Sequence, residues 1–138
     1  MQLLEQARRE GIRAMTLNWI RGMLSADRLQ DGELVEAIVA MFERRSVAEF
    51  DAQIRALLQR PDASPLLPQL RVPTLLLCGE LDQWSPPAQH REMQQLIPGS
   101  TLVSVPACGH MSPMEEPGAV SAALLSWLER LQPQERPI

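Results

Sequence analysis

The sequence predicts an α/β fold: a helical region, then two parallel strands joined by a crossover helix, then C-terminal helices. Three observations predict it. Apolar residues recur at three to five residue steps through the first part of the chain. Residues 74–78 and 101–105 are short, mostly apolar runs with proline or glycine at their ends. The stretch between the two runs has the length of a strand–helix–strand crossover, which parallel strands require.

In the first part, Leu4, Ala7, Ile12, Met15, Trp19 and Met23 predict one helix over residues 2–24. Gly11 weakens its middle by about 1 kcal/mol relative to alanine. Asp31-Gly-Glu-Leu starts a second helix through Leu34, Val35, Ile38, Met41 and Phe42. Ser46-Val-Ala-Glu49 is a capping-box pattern that opens a third, with Val47, Phe50, Ile54, Leu57 and Leu58 as its apolar stripe and Arg60-Pro61 as its end. Pro61, Pro65, Pro68 and Pro73 then predict an extended link, so the chain divides into 1–62 and 63–138.

In the second part, Thr74-Leu-Leu-Leu-Cys78 reads as a strand covered on both faces. Ser85 is placed to cap a helix with Pro86 at its first position, and Met93, Leu96 and Ile97 supply that helix's apolar face. Pro98-Gly99 leads into the second strand. Residues 111–116 read as a loop. A last helix over 117–131 carries Val120, Leu124, Trp127, Leu128 and Leu131 on one face, and residues 132–138 read as a frayed tail.

Composition bounds the function. With 138 residues and a net charge of −4, the chain is not built for nucleic acid or an anionic membrane surface. Charged residues interrupt the N-terminal apolar pattern, so no signal peptide is read, and no run is long enough to span a bilayer. Two cysteines fit a reducing compartment, and a cytoplasmic location is expected.

The chemistry is concentrated after the strands. In open parallel sheets, sites lie beyond the carboxyl ends of the strands. Asp82 and His110 each fall a few residues past one strand end, where neighbouring parallel strands bring their loops together. A carboxylate beside an imidazole fixes the ring's tautomer and stabilises the imidazolium that forms when the other nitrogen takes a proton. The competing reading makes Asp82 an Asx-turn residue and His110 a loop histidine held by backbone. Cys108 beside His110 reads either as a thiolate nucleophile or as a small residue packed under the loop. Cys78, Asp82, Cys108 and His110 have ligand chemistry that suits zinc, but their spacing matches no standard zinc module.

These residues resemble the α/β-hydrolase family. Gly79-x-x-Asp82 is similar to the family's acid loop. Pro98-Gly99 before the strand and Gly109-His110 after it are similar to its histidine loop, and Glu116-Pro117 opens the last helix as the family's pattern does. The resemblance implies a partial α/β-hydrolase fold: a helical lid over 1–62, followed by the C-terminal part of the core over 63–138. It implies Asp82 as triad acid and His110 as triad base, in hydrolysis of an ester or related acyl or carbon–carbon bond of a small apolar molecule. No organic cofactor and no metal is implied. Trp84, Met111, Met15 and Trp19 are candidate substrate-lining residues, with packing as the competing reading.

The sequence departs from the family at the nucleophile. None of its serines has glycine two positions away on both sides, so there is no Gly-x-Ser-x-Gly elbow, and the glycine-rich oxyanion loop is also absent. Met1 reads as a true start, as an internal methionine of a longer frame, or as an artificial boundary of the sequence. The nucleophile is then expected from a complementing N-terminal chain. A sheet of two parallel strands leaves an open edge, so a homo-oligomer is the other expected partner state. The rival to the enzymatic reading is an inactive truncated fragment that oligomerises or binds a partner.

Overall fold

The computed structural model describes residues 2–131; the tail read at 132–138 lies outside the described residues. The chain forms two compact units, Met1–Ala63 and Ser64–Ile138.

The first unit is helical. α1 (Gln2–Trp19) is two helical segments meeting at Gly11, whose φ of 87° and ψ of 166° are not helical. A 3-10 turn over Ile20–Gly22 follows. The continuous helix expected over 2–24 is therefore corrected: the chain bends at the residue that has no Cβ to oppose the bend. Both segments feed one core, in which Leu4, Ala7 and Met15 cluster with Phe50. Trp19 packs edge-on against Phe42 at 5.3 Å and against Phe50 at 5.7 Å between ring centroids.

α2 (Gly32–Glu43) begins at Asp31, whose Oδ1 accepts from the Leu34 N–H at 3.1 Å. α3 (Val47–Leu58) begins with a complete capping box. The Ser46 Oγ accepts from the Glu49 N–H at 3.2 Å, and the Glu49 carboxylate accepts from the Ser46 N–H at 2.7 Å. Leu57 and Leu58, expected on the buried stripe of this helix, are exposed. Arg13 joins α1 to α2 through Glu36 at 2.7 Å and Glu43 at 3.0 Å.

The second unit opens with a 3-10 helix over Ser64–Gln69, not the extended link expected there. Proline fixes φ near a helical value, so Pro65 and Pro68 are compatible with a short tight helix. β1 (Leu75–Gly79), α4 (Pro87–Leu96) and β2 (Thr101–Val105) follow. The strands pair in parallel, in register from Leu75 with Thr101 to Gly79 with Val105. α4 starts one residue later than expected, with Pro86 and not Ser85 at the N-cap. The Ser85 N–H instead donates to Asp82, which draws Ser85 into the preceding turn.

Residues 112–115, expected within a loop, form the one-turn helix α5 (Ser112–Glu115). α6 (Pro117–Leu131) buries Val120 against Val105 and Cys108, with Leu77 packed beside them. The rest of its expected apolar face is not covered: Leu124, Leu128 and Leu131 are exposed, as is Leu125. Leu75, Leu76 and Leu77 are only half-buried, so β1 is not enclosed on both faces. Two strands offer too little sheet to cover both elements.

Candidate active site

The site is assembled where β1 and β2 end. Their register brings Gly79 beside Val105, and backbone hydrogen bonds carry the pairing into the loops. Glu80 N–H donates to the Val105 carbonyl and Leu81 N–H to the Cys108 carbonyl, each at 2.8 Å. Gly79 is needed for this crossing. A Cβ built on it would overlap the Gly109 carbonyl oxygen and the Cys108 carbonyl group. Ala107, in the turn between β2 and the histidine, takes a left-handed φ of 53°.

Asp82 is buried and uses both carboxylate oxygens. Oδ1 accepts from the Trp84 and Ser85 N–H groups, each at 2.9 Å, which makes the Asx turn. Oδ2 lies 2.8 Å from Nδ1 of His110. The turn reading and the ring-holding reading of Asp82 therefore describe two oxygens of one carboxylate. Burial, the largest influence, pushes this carboxyl up. Hydrogen bonds from Ser85, the His110 ring and Trp84 outweigh it together and hold the group below the ordinary aspartate value.

His110 leaves 37% of its side chain exposed, while Asp82 leaves 5%. With Nδ1 on Asp82, Nε2 is the nitrogen left to exchange a proton with a reacting group. The Trp84 ring lies 5.0 Å from the His110 ring between centroids, tilted by 51°. Trp84 therefore stands beside the imidazole.

One carboxylate at this site has no counterpart in the sequence reading. Glu115, at the end of α5, is 1% exposed. Its Oε2 accepts from the Gly109 N–H at 3.0 Å and its Oε1 from the Met111 N–H at 3.1 Å. The sequence places Glu115 in the 111–116 loop, next to the Glu116-Pro117 helix start. The available signal was a carboxylate close in sequence to a loop with amides to satisfy.

The other candidates separate. Met111 adjoins His110, and its N–H is held by Glu115. Met15 is fully buried in the helical unit's core, and Trp19 packs on Phe42 and Phe50. Met15 has no exposed surface, whereas Trp19 is half-buried against that core. Cys108 is fully buried beneath the histidine loop with Val105 and Val120, and Cys78 is a buried free thiol pushed up by burial. Among the described residues, no group of three or more histidine, cysteine or carboxylate side chains converges to hold a metal ion. None of their helices is long and apolar enough to cross a membrane.

The sequence pattern of the alpha/beta hydrolase fold matches residues 6–117. The chain belongs to the α/β-hydrolase fold family, and its architecture is a partial form of that fold. It is 33% identical to a thermophilic esterase from Thermogutta terrifontis, with a TM-score of 0.85 over 94% of this chain and 48% of that one. It is 26% identical to the enol-lactonase from Burkholderia xenovorans LB400, with a TM-score of 0.77 over 93% of this chain and 49% of that one. In sequence it is 35% identical, over 96 residues, to the polyketide synthase ThaQ of Burkholderia thailandensis, a match covering 70% of this chain and 4% of that protein. The chain thus spans about half the length of the two solved enzymes.

Proposed function

We propose that the chain is the acid-and-histidine portion of an α/β-fold hydrolase that cleaves an ester, or a related acyl or carbon–carbon bond, of a small apolar molecule. The observation that carries this reading is the 2.8 Å contact between Asp82 Oδ2 and His110 Nδ1 at the ends of two parallel strands. The esterase and the lactonase among its relatives agree with the reaction class. In this reading the nucleophile, a serine hydroxyl in its commonest form, comes from residues outside this chain. His110 takes the hydroxyl proton on Nε2 as the oxygen attacks the substrate carbonyl, and Asp82 stabilises the imidazolium. For an ester, His110 then gives the proton to the departing alcohol, leaving an acyl-enzyme. Water, deprotonated by the same nitrogen, attacks the acyl carbon, and the proton returns from Nε2 to the nucleophile oxygen as the acid is released. Backbone amides of the complementing part form the oxyanion hole.

The test is fluorophosphonate labelling read by intact mass. The chain alone should take up no probe. Sequencing the DNA upstream of the Met1 codon should reveal an in-frame Gly-x-Ser-x-Gly. The longer product should label on that serine, and His110→Ala should abolish the labelling. A serine adduct on the chain alone overturns the outside nucleophile; labelling of the longer product that is indifferent to His110 overturns the base.

A second reading, a non-enzymatic module that pairs with a second copy of itself, draws on one observation. The apolar residues Leu124, Leu125, Leu128 and Leu131 of α6 are exposed beside a sheet of two strands. Light scattering at micromolar concentration tests it. A dimer that takes up no probe, from a frame closed upstream, favours this reading over the first.

A further inference from the structure

We infer that Glu115 is a positioning residue for His110, a clamp that holds the Cys108–Gly109 and His110–Met111 peptide units and so brackets the histidine. The inference rests on His110 being the base of the proposed function. The two oxygens of Glu115 are divided between the N–H of Gly109, just before His110, and the N–H of Met111, just after it. The same segment closes on itself from the other side: the Met111 carbonyl accepts from the Met114 N–H at 2.8 Å and the Glu115 N–H at 2.9 Å. A charged carboxylate enclosed in protein is costly unless hydrogen-bonded. Bonds from two amides to an ionised acceptor are stronger than neutral ones.

The need for such a clamp follows from exposure. The His110 side chain is over a third exposed, so enclosing packing does not fix it. Beside the Trp84 ring, which stacks at a tilt against it, the imidazole is placed by Asp82 at Nδ1 and by the backbone from which the side chain springs. Gly109 is a residue whose backbone is otherwise permissive. Holding its N–H and that of Met111 fixes the Cys108–Gly109 and His110–Met111 peptide planes, so the Gly109–His110 peptide between them is pinned at both ends. The imidazole then meets Asp82 with its Cα direction already set. Glutamine at this position has nearly the same shape but one acceptor oxygen, and its NH2 would face the second amide donor.

Imidazole and amide NMR of the purified chain tests this without needing turnover. The chain has two histidines, so His90 serves as internal control. In the unsubstituted chain, His110 should be a single Nδ1–H tautomer and the Gly109 and Met111 amides should be protected from exchange. In E115Q these two amides should exchange about 10- to 100-fold faster. The His110 ring should move toward mixed tautomers while His90 is unchanged. E115D, which keeps the charge, should restore part of the single-tautomer signal. Freed amides with an unaltered His110 tautomer would mean that Glu115 only folds the loop, and would overturn the inference. If E115Q does not fold, exchange in the unsubstituted chain decides: protected Gly109 and Met111 amides support the clamp, and open-loop rates overturn it. A His110 signal that never shows the Asp82-bonded tautomer, even with Glu115 intact, counts instead against the acid–base pair itself.

Discussion

Nδ1 of His110 lies 2.8 Å from Oδ2 of Asp82, across 28 positions of sequence. The contact is built by strand pairing. Gly79 and Val105 are register partners, and the two loops leave the sheet side by side. The carboxylate is buried while the ring is partly open, so the pair presents one imidazole nitrogen outward and keeps its counter-charge inside.

This pair makes stability depend on pH. The Asp82 carboxyl is held below its ordinary value in the folded chain. The folded state therefore binds fewer protons there than the unfolded state, and stability rises with pH across that window. The contribution is present above the unfolded value, near pH 4, and is lost as pH falls through the lower folded value. Urea unfolding at a series of pH values should show this loss. Asp82→Asn should flatten the acid limb relative to the unsubstituted chain. An identical acid limb in both would contradict the shift.

Gly79→Ala should damage both loops at once. Its Cβ would collide with carbonyl groups of Cys108 and Gly109, which are backbone and cannot rotate aside. Overpacking of this kind costs about 1–3 kcal/mol. Denaturant melts should show that loss, and the His110 Nδ1 proton should lose its Asp82-bonded shift. A neutral substitution would mean that the loops part more easily than their hydrogen bonds imply.

Gly11→Ala tests the bend in α1. Helix propensity alone favours alanine by about 1 kcal/mol. The observed φ of 87° and ψ of 166° belong to a region that is nearly glycine-only, where a side chain costs about 1–3 kcal/mol. Strain outweighs propensity, so the substitution should lower the melting temperature. A higher melting temperature would show that the straight helix is the better packed state.

Ser46→Ala should remove one side of the capping box at α3 and cost about 1 kcal/mol. Ser46→Gly should cost only a few tenths. Equal losses from the two would point to side-chain packing and not to the cap.

Much of this architecture was legible in the sequence because it is governed by neighbours in the chain. The capping box at Ser46, the start of α2 at Asp31, the parallel crossover and the last helix from Pro117 all rest on local patterns of period, cap and turn residue. So did the placement of Asp82 and His110 just beyond strand ends. Their spacing from the strands is local even though their contact is not.

Tertiary structure alone decided the rest. Gly11 is a weak helix residue by propensity, and only the structure shows that α1 bends there while Leu4, Ala7 and Met15, from both sides of the bend, share one core with Phe50. Met15 and Trp19 have the composition of a pocket wall, and only their neighbours place Met15 in the core and Trp19 against it. Gly79 reads as a strand boundary until the Cys108 and Gly109 carbonyls are seen pressed against it. Glu115 reads as part of a loop until its oxygens are found on the Gly109 and Met111 amides on either side of His110. In each case the deciding atoms belong to groups brought together by folding. Periodicity and propensity report how a residue suits its own segment; they carry no information about which distant backbone will close against it.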